Sequence, residues 1–156
     1  MANGCDMIAG ITHLPAYTVA EGVKLKRVFP ADKNRVLAFI REHFSEGWAC
    51  EAENAIMQPP GKCFIAVENG KVIGFACYDA SAKGFFGPIG VDESQRGRGL
   101  GKALLIRTME AMREFGYAYA VIGWVGPSDF YRKNVGAEFI PGGVPQNSIY
   151  SNMIDL

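Results

Sequence analysis

The chain has 156 residues, of which 49% are hydrophobic and 21% charged. The sequence therefore predicts one globular domain over residues 1–156, with residues 1–22 as an N-terminal extension. Its 16 basic and 16 acidic residues balance, which gives no reason to expect nucleic acid or a membrane surface as a partner. The four cysteines lack zinc-site spacing, and neither a signal peptide nor a membrane-spanning run is visible, so we expect a cytoplasmic protein without a metal.

The first third of the chain predicts two strands and two helices. Residues 7–11 suggest a short edge strand, and residues 23–29 alternate in polarity as a strand does. Pro30 and Asp32 then open a helix, with Asp32 as its N-cap, and Gly47 ends it. Residues 48–57 predict a second short helix that ends before Pro59.

The middle of the chain predicts three antiparallel strands. Residues 63–68 and 71–78 flank Asn69-Gly70, a pair that tolerates the positive φ of a tight hairpin turn. A third strand, residues 84–91, contains Gly87, Pro88 and Gly90, which weaken a strand interior. This strand is either a bulged edge strand or one that leaves its neighbour and exposes backbone groups to a ligand.

The last third begins with a helix of residues 100–115 that Gly116 terminates. Residues 119–124 predict a buried strand, and strand, helix and strand together form a βαβ unit with a parallel pair. A short helix follows over residues 128–135 and ends at Gly136. Residues 137–140 and 148–154 are expected to be closing strands.

The stretch from residue 95 to residue 102 is typical of an anion-binding loop. Glycines at alternate positions allow a tight backbone turn before a helix whose first amides lack partners, and the sequence offers no side chain to cap them. Arg96, Arg98 and Lys102 add positive charge. The spacing excludes a P-loop and a dinucleotide fingerprint. A flexible surface turn is the alternative interpretation.

Three features resemble the GNAT superfamily of N-acetyltransferases. They are Arg96-x-x-Gly99-x-Gly101, the preceding strand 87–91, and Phe130-Tyr131-Arg132-Lys133 followed by residues 136–139. The resemblance extends from about residue 23 to the end. It implies an α/β (α+β) fold with a mixed, mostly antiparallel twisted sheet of about six or seven strands. About four helices would flank this sheet, and a central parallel pair would be splayed to hold acyl-CoA.

The resemblance also implies a reaction. An amine of a small molecule or peptide would attack the thioester of acetyl-CoA directly, and Tyr131 would protonate the departing thiolate. A packing role, with its hydroxyl bonded to a backbone carbonyl, is the alternative for Tyr131. The residues expected to contact acetyl-CoA lie on the strand, the loop and the two helix starts: Ile89, Gly90, Val91, Arg96, Gly97, Arg98, Gly99, Leu100, Gly101, Lys102 and Ser128.

Two departures from the family pattern stand out. The family often carries a Glu as base on the strand before the loop, where this chain has no acid until Asp92. Glu51, Glu53 and Asp79 are the other carboxylates considered. The family also carries an Asn seven residues before the tyrosine, where this chain has Trp124, and Ser128 is the residue that could substitute for it.

Two other classes of function stay open beside the enzyme. One is a catalytically silent domain of the same fold that senses acyl-CoA or recognises a partner. The other is an α/β domain without a pocket, whose basic loop is a solvated turn. The acceptor is not readable from the sequence, although Trp48, Glu51 and Glu53 are candidate wall residues. The oligomeric state, a homodimer included, is open as well.

Overall fold

A computed structural model describes residues 4–156 of the protein. Its centre is a seven-stranded sheet with the strand order β2-β3-β4-β5-β6-β1-β7. Only β5 and β6 run parallel, and every other neighbouring pair is antiparallel. The predicted mixed, mostly antiparallel sheet is confirmed. In chain order the strands are β1 (Met7–Gly10), β2 (Lys24–Arg27), β3 (Cys63–Glu68), β4 (Lys71–Tyr78), β5 (Phe85–Val91), β6 (Tyr119–Ile122) and β7 (Glu138–Phe139).

Four α-helices cover the sheet within residues 4–156: α1 (Lys33–His43), α2 (Glu46–Ile56), α3 (Leu100–Phe115) and α4 (Ser128–Val135). Alternate strand residues point to opposite faces, so the sheet divides the core in two. Cys63 and Ile65 of β3 pack with α1 and α2, whereas Phe64 and Ala66 pack with α3 and Tyr131 of α4. Each face therefore carries its own pair of helices.

The predicted hairpin, βαβ unit and short helix are confirmed because their signals are local. Asn69 and Gly70 both have positive φ, at 51° and 73°, between β3 and β4. Gly116 and Gly136 stand at the C-caps of α3 and α4. Each of these residues stops or turns the chain by its own conformational preference.

Two predictions near the chain ends are wrong. β1 is not an edge strand, because it lies between β6 and β7 and pairs with both. Residues 148–154 do not form a strand. The C-terminal segment instead forms two 3₁₀ helices, Pro145–Asn147 and Ile149–Asn152, and the Ser148 hydroxyl between them donates a hydrogen bond to Asp6.

Two details of the helical hairpin also differ from prediction. Gly47 does not end α1, which stops at His43; it lies inside α2, and the Ser45 side chain accepts a hydrogen bond from the Trp48 amide as N-cap. Asp32 occupies the N-cap position of α1 but makes no capping bond, and its carboxylate lies 3.6 Å from Arg35.

The parallel pair of strands separates after only two paired positions. Phe85 lies opposite Val121, and Phe86 lies opposite Ile122. The register between β4 and β5 shifts at the same level, between Ala76 and Tyr78. Beyond Phe86, the edge of β5 that faces away from β4 has no strand beside it within the described residues. β5 and β6 therefore form a V whose closed end lies at Phe86.

Candidate active site

The start of α3 is an open helix terminus. Gly99, its N-cap residue, has a φ of 75°, and no side chain among residues 4–156 caps the helix. The Ala103 amide donates to the Gly99 carbonyl, so the amides of Leu100, Gly101 and Lys102 have no partner inside the helix. Three unpaired donors and the positive end of the helix dipole face solvent here, as an anion-binding site requires.

The loop before α3 depends on glycine for its backbone. Gly97 and Gly99 both have left-handed φ, 85° and 75°, which L side chains rarely adopt. A Cβ at either position would meet nothing within 4 Å, so conformation and not crowding is the constraint. A Cβ at Gly101 would come within 3.6 Å of the Phe130 ring, which places the start of α4 beside the start of α3.

The three cations of this loop have different surroundings. Arg98 donates to both oxygens of Glu68, at 2.9 and 2.8 Å, and to Gln95 at 2.6 Å. The hydrogen bond from Arg98 lowers the pKa of the Glu68 carboxyl, and the same contact raises the pKa of the guanidinium. Arg96 and Lys102 are exposed and form no ion pair within residues 4–156. Arg98 therefore anchors the loop to β3, while Arg96 and Lys102 face solvent.

Only some of the β5 residues predicted to contact acetyl-CoA present their backbone groups at the free edge of this strand. The amide of Asp92 donates to Ile73 on β4 at 2.9 Å. Because backbone groups alternate between the two edges of a strand, Gly90 also faces β4, whereas Ile89 and Val91 face the open V. Gly90 has another role, since a Cβ there would overlap the Phe44 ring. Two of the three predicted strand residues thus present amides to the V.

Tyr131 lies on α4 at the closed end of the V. Its side chain is 5% exposed and packs edge-on against Phe86, with ring centroids 6.3 Å apart. Burial raises the pKa of the phenol. No residue between 4 and 156 hydrogen bonds to its hydroxyl, so the backbone partner of the packing alternative is not found. Ser128 begins the same helix, and its amide donates to the Gly126 carbonyl.

Two of the carboxylates considered as base serve the fold. Asp79 is buried and accepts hydrogen bonds from Lys62 at 2.8 Å, from Tyr117 at 2.9 Å and from the Gly84 amide at 2.8 Å. Asp92 accepts from the amide and the hydroxyl of Ser94, both at 3.0 Å, and these bonds lower its pKa. Asp92 thus caps the turn before the loop.

The other two candidates lie on α2 and face different surroundings. Glu53 lies 3.2 Å from Lys33 at the surface. Glu51 is half-buried and accepts a hydrogen bond from the Ser81 hydroxyl, just after β4. Glu51 therefore lies near the closed end of the V. Asp79 lies there as well, since its amide donates to Phe85 at 2.9 Å, but its carboxylate is already engaged by three donors.

Tyr150 is the residue that sequence reasoning missed. The C-terminal segment places its hydroxyl directly against Gly123, where a Cβ would collide with it, and its ring packs edge-on against Trp124 at 5.2 Å. Burial raises the pKa of this phenol, and the charges of Glu51 and Asp6 raise it further. A glycine directly after a buried strand was the one available signal, because it can mark a close approach.

Asp6 holds this arrangement together. Its carboxylate accepts from the Trp124 amide at 2.9 Å and from the Ser148 hydroxyl. Trp124 itself has a φ of 46°, an uncommon conformation for a residue other than glycine. The residue at the family's Asn position is therefore fixed through its backbone, and its ring supports Tyr150.

No group of three His, Cys, Asp or Glu side chains that could hold a metal ion occurs among residues 4–156. In the same part of the chain, none of the helices combines the length and the apolar character needed to cross a membrane.

Comparison with known proteins identifies a family. A family model described as the acetyltransferase (GNAT) family matches residues 30–137. A mycothiol acetyltransferase from Thermobispora bispora is 32% identical over 123 residues, covering 67% of this chain and 42% of that protein. This chain thus spans less than half the length of that relative.

Solved structures show the same fold. A GCN5-related N-acetyltransferase from Sphaerobacter thermophilus superposes with a TM-score of 0.70 at 23% identity, over 87% of this chain and 48% of that one. A GNAT family N-acetyltransferase from Escherichia coli, solved in complex with CoA, has a TM-score of 0.56 at 24% identity, over 77% of this chain and 71% of that one.

Proposed function

Because the chain belongs to the acetyltransferase (GNAT) family, we propose that it transfers an acetyl group from acetyl-CoA to a primary amine of a small molecule or peptide by direct attack. The observation that supports this proposal most strongly is the continuous path from the open start of α3, along the free edge of β5, to the buried hydroxyl of Tyr131. The anion site, the strand edge and the phenol follow one another in the same order as the pyrophosphate, the pantetheine arm and the thioester of acetyl-CoA.

The residues of this path fit acetyl-CoA, which supplies the activated acetyl thioester. The amides of Leu100, Gly101 and Lys102, with the side chains of Arg96 and Lys102, would hold the pyrophosphate. The amides of Ile89 and Val91 would pair with the pantetheine arm as a neighbouring strand does. Ser128, at the start of α4, would contribute a hydroxyl to the same ligand.

Tyr131 would act as the general acid. Burial keeps its phenol protonated at neutral pH, and its hydroxyl is not engaged by another described residue. A thiolate of coenzyme A leaving the thioester would be a strong base in this apolar surrounding, so it would take the phenolic proton. The amine nitrogen forms the new C–N bond as the C–S bond breaks.

Tyr131→Phe tests this role. The change removes an unbonded hydroxyl and no carbon, so stability and acetyl-CoA affinity should stay the same, while kcat falls about 10²- to 10⁴-fold. Tyr119→Phe is the matched control, because Tyr119 is 65% exposed on β6. Thiol release is followed with a panel of amines, and affinity by calorimetry. An unchanged kcat in Tyr131→Phe would return this residue to a packing role.

A silent acyl-CoA-binding domain of the same fold is the second candidate. It is favoured by one observation: Trp124 stands at the family's Asn position, and Asp6 occupies its amide. A silent domain would bind acetyl-CoA with the same dependence on Arg96 but release no thiol above the rate without amine. Turnover with any amine of the panel excludes it.

A further inference from the structure

We propose that Glu51 binds the ammonium group of the acceptor and accepts its proton, with the hydroxyls of Ser81 and Tyr150 positioning the carboxylate. This proposal rests on the proposed acetyl transfer and supplies the base that the strand before the loop lacks. It also places the acceptor on the α1–α2 face of the sheet, opposite α3 and α4.

The position of Glu51 relative to Tyr131 supports the proposal. Ser81 follows β4 by three residues, and Tyr78 at the end of β4 pairs with Phe86 of β5. The Ser81 hydroxyl, which donates to Glu51, is therefore at the closed end of the V. Tyr131 packs against Phe86 from the other face. Glu51 and Tyr131 thus approach the same end of the V from opposite faces of the sheet.

The location of the Tyr150 hydroxyl also supports the proposal. Its hydroxyl lies against Gly123, the first residue after β6 and hence at the same end of the V. Its phenol is close enough to Glu51, Ser81 and Tyr131 for all three to influence its pKa. The C-terminal segment thereby brings a protonated hydroxyl to the same end of the V, near the Ser81 hydroxyl that donates to Glu51.

The charges around the Glu51 carboxylate also support the proposal. Glu51 is half-buried, yet no Lys, Arg or His forms an ion pair with it within residues 4–156. Its surroundings there are neutral: the Ser81 hydroxyl, the Tyr150 phenol and the buried Cys77 thiol. A partly buried carboxylate is costly without a cation. A substrate ammonium would supply this missing charge.

The space beside Glu51 also supports an acceptor site on this face of the sheet. One to two helical turns before it, a shallow cavity of about 280 Å³, open to solvent, is lined by Phe44, Ser45 and Trp48. The Phe44 ring also covers Gly90 on β5, so the cavity lies on the open part of the V. Aromatic walls suit the apolar body of an amine and the face of a cation. The ammonium would then reach Glu51 along α2.

The proton balance is complete without another reactant. The acceptor enters as an ammonium and loses one proton to Glu51, which passes it to water. The neutral nitrogen attacks the acetyl carbon, the C–N bond forms and the C–S bond breaks. Tyr131 gives its proton to the departing sulfur, and the second proton lost by nitrogen restores the phenol. The products are an acetamide, free thiol and one proton.

Glu51→Gln tests the proposal, with Glu42→Gln, which removes an exposed carboxylate of α1, as the control for the loss of one charge. The acceptor is the best substrate among benzylamine, 1,4-diaminobutane and glycylglycine. We expect Glu51→Gln to lower kcat/KM about 10²- to 10⁴-fold at pH 7, with unchanged acetyl-CoA affinity and a wild-type rate for Glu42→Gln. Ser81→Ala should lower kcat in the same direction, and Ser81→Thr should restore it.

A pH series separates proton removal from a structural role. An alkylamine has a pKa of about 10, so raising the pH from 7 to 9 supplies neutral amine and should reduce the Glu51→Gln defect about tenfold or more. The groups facing Glu51 are Tyr150, Cys77 and, behind Tyr150, Tyr131 and Asp6. Burial raises the pKa of both phenols and of the thiol, so none of these three titrates in this window.

The outcomes are distinct. Wild-type turnover with an undiminished rate in Glu51→Gln overturns the role of Glu51 and leaves the proposed function standing. A defect that is constant between pH 7 and pH 9 assigns Glu51 to structure and also overturns the inference. A wild type that acetylates no amine of the panel, although it binds acetyl-CoA, overturns both proposals.

Discussion

Asp79→Asn should destabilise the protein without changing its chemistry. Asp79 is the counter-charge of Lys62, which is 4% exposed, and the two charged atoms lie 2.8 Å apart. The other neighbours of the ammonium are the rings of Phe115 and Tyr78, with centroids at 4.0 and 5.5 Å. Asn keeps the shape and tolerates the positive φ of 54° at this position, so the change removes the negative charge together with one of the two oxygens that accept hydrogen bonds.

The magnitude follows from the burial of the pair. Removing one partner of a buried ion pair costs about 3–5 kcal/mol, because the other charge is left uncompensated. For a chain of this size, 1 kcal/mol moves Tm by about 2–4 °C, so Asp79→Asn should lower Tm by roughly 6–20 °C. Replacing Lys62 by Met in the same chain removes the orphaned charge and should restore most of the loss.

Urea unfolding measures the free energy, and thiol release below the lowered Tm measures the rate per folded molecule. Glu53→Gln provides the comparison for an exposed pair, since its contact with Lys33 should contribute no more than about 1 kcal/mol. The reasoning is refuted if Asp79→Asn unfolds at the wild-type urea concentration, or if it stays folded and loses activity as an active-site base would.

The remaining predictions concern the loop before α3. Arg96→Glu should weaken acetyl-CoA binding about tenfold or more in calorimetry, whereas Arg113→Glu, near the other end of α3, should not. Because Arg98 lowers the pKa of Glu68, their contact stabilises the fold above the unfolded pKa of about 4.3, and this contribution is lost as pH falls through the lower folded-state value. Glu68→Gln should therefore melt slightly below wild type at pH 7, and the difference should shrink as the pH is lowered below about 4; a difference that does not shrink on acidification would contradict this.

The elements that the sequence predicted correctly are those whose signals lie within a few residues. Asn69 and Gly70 fix a turn by their own φ preferences, and Gly116 and Gly136 end helices in the same way. The start of α3 was also predictable, because uncapped amides after a glycine-rich turn need no distant partner to be recognised. These features place the cofactor half of the candidate site.

The failed predictions at the two ends of the chain depend on partners far away in sequence. Ser148 has the Asp6 carboxylate as its partner, 142 residues earlier, and that contact sets the C-terminal segment across the end of β6. β1 enters between β6 and β7 by pairing at Met7 with both Ile122 and Phe139. Composition and periodicity report that a segment is apolar, but not which edge of a sheet it joins.

The same separation explains why the family is evident and the acceptor is not. The family match spans residues 30–137 and contains the loop, the V and Tyr131. Asp6 and Tyr150 lie outside that range, yet they set the closed end of the V on the side away from α4. In the proposed site, the cofactor side is thus built from the shared part of the chain, and the acceptor side would be completed by its two ends.

Gly123→Ala, which would displace the Tyr150 hydroxyl, should accordingly alter KM for the amine far more than affinity for acetyl-CoA. Equal changes in both would show that the two sides are not separate.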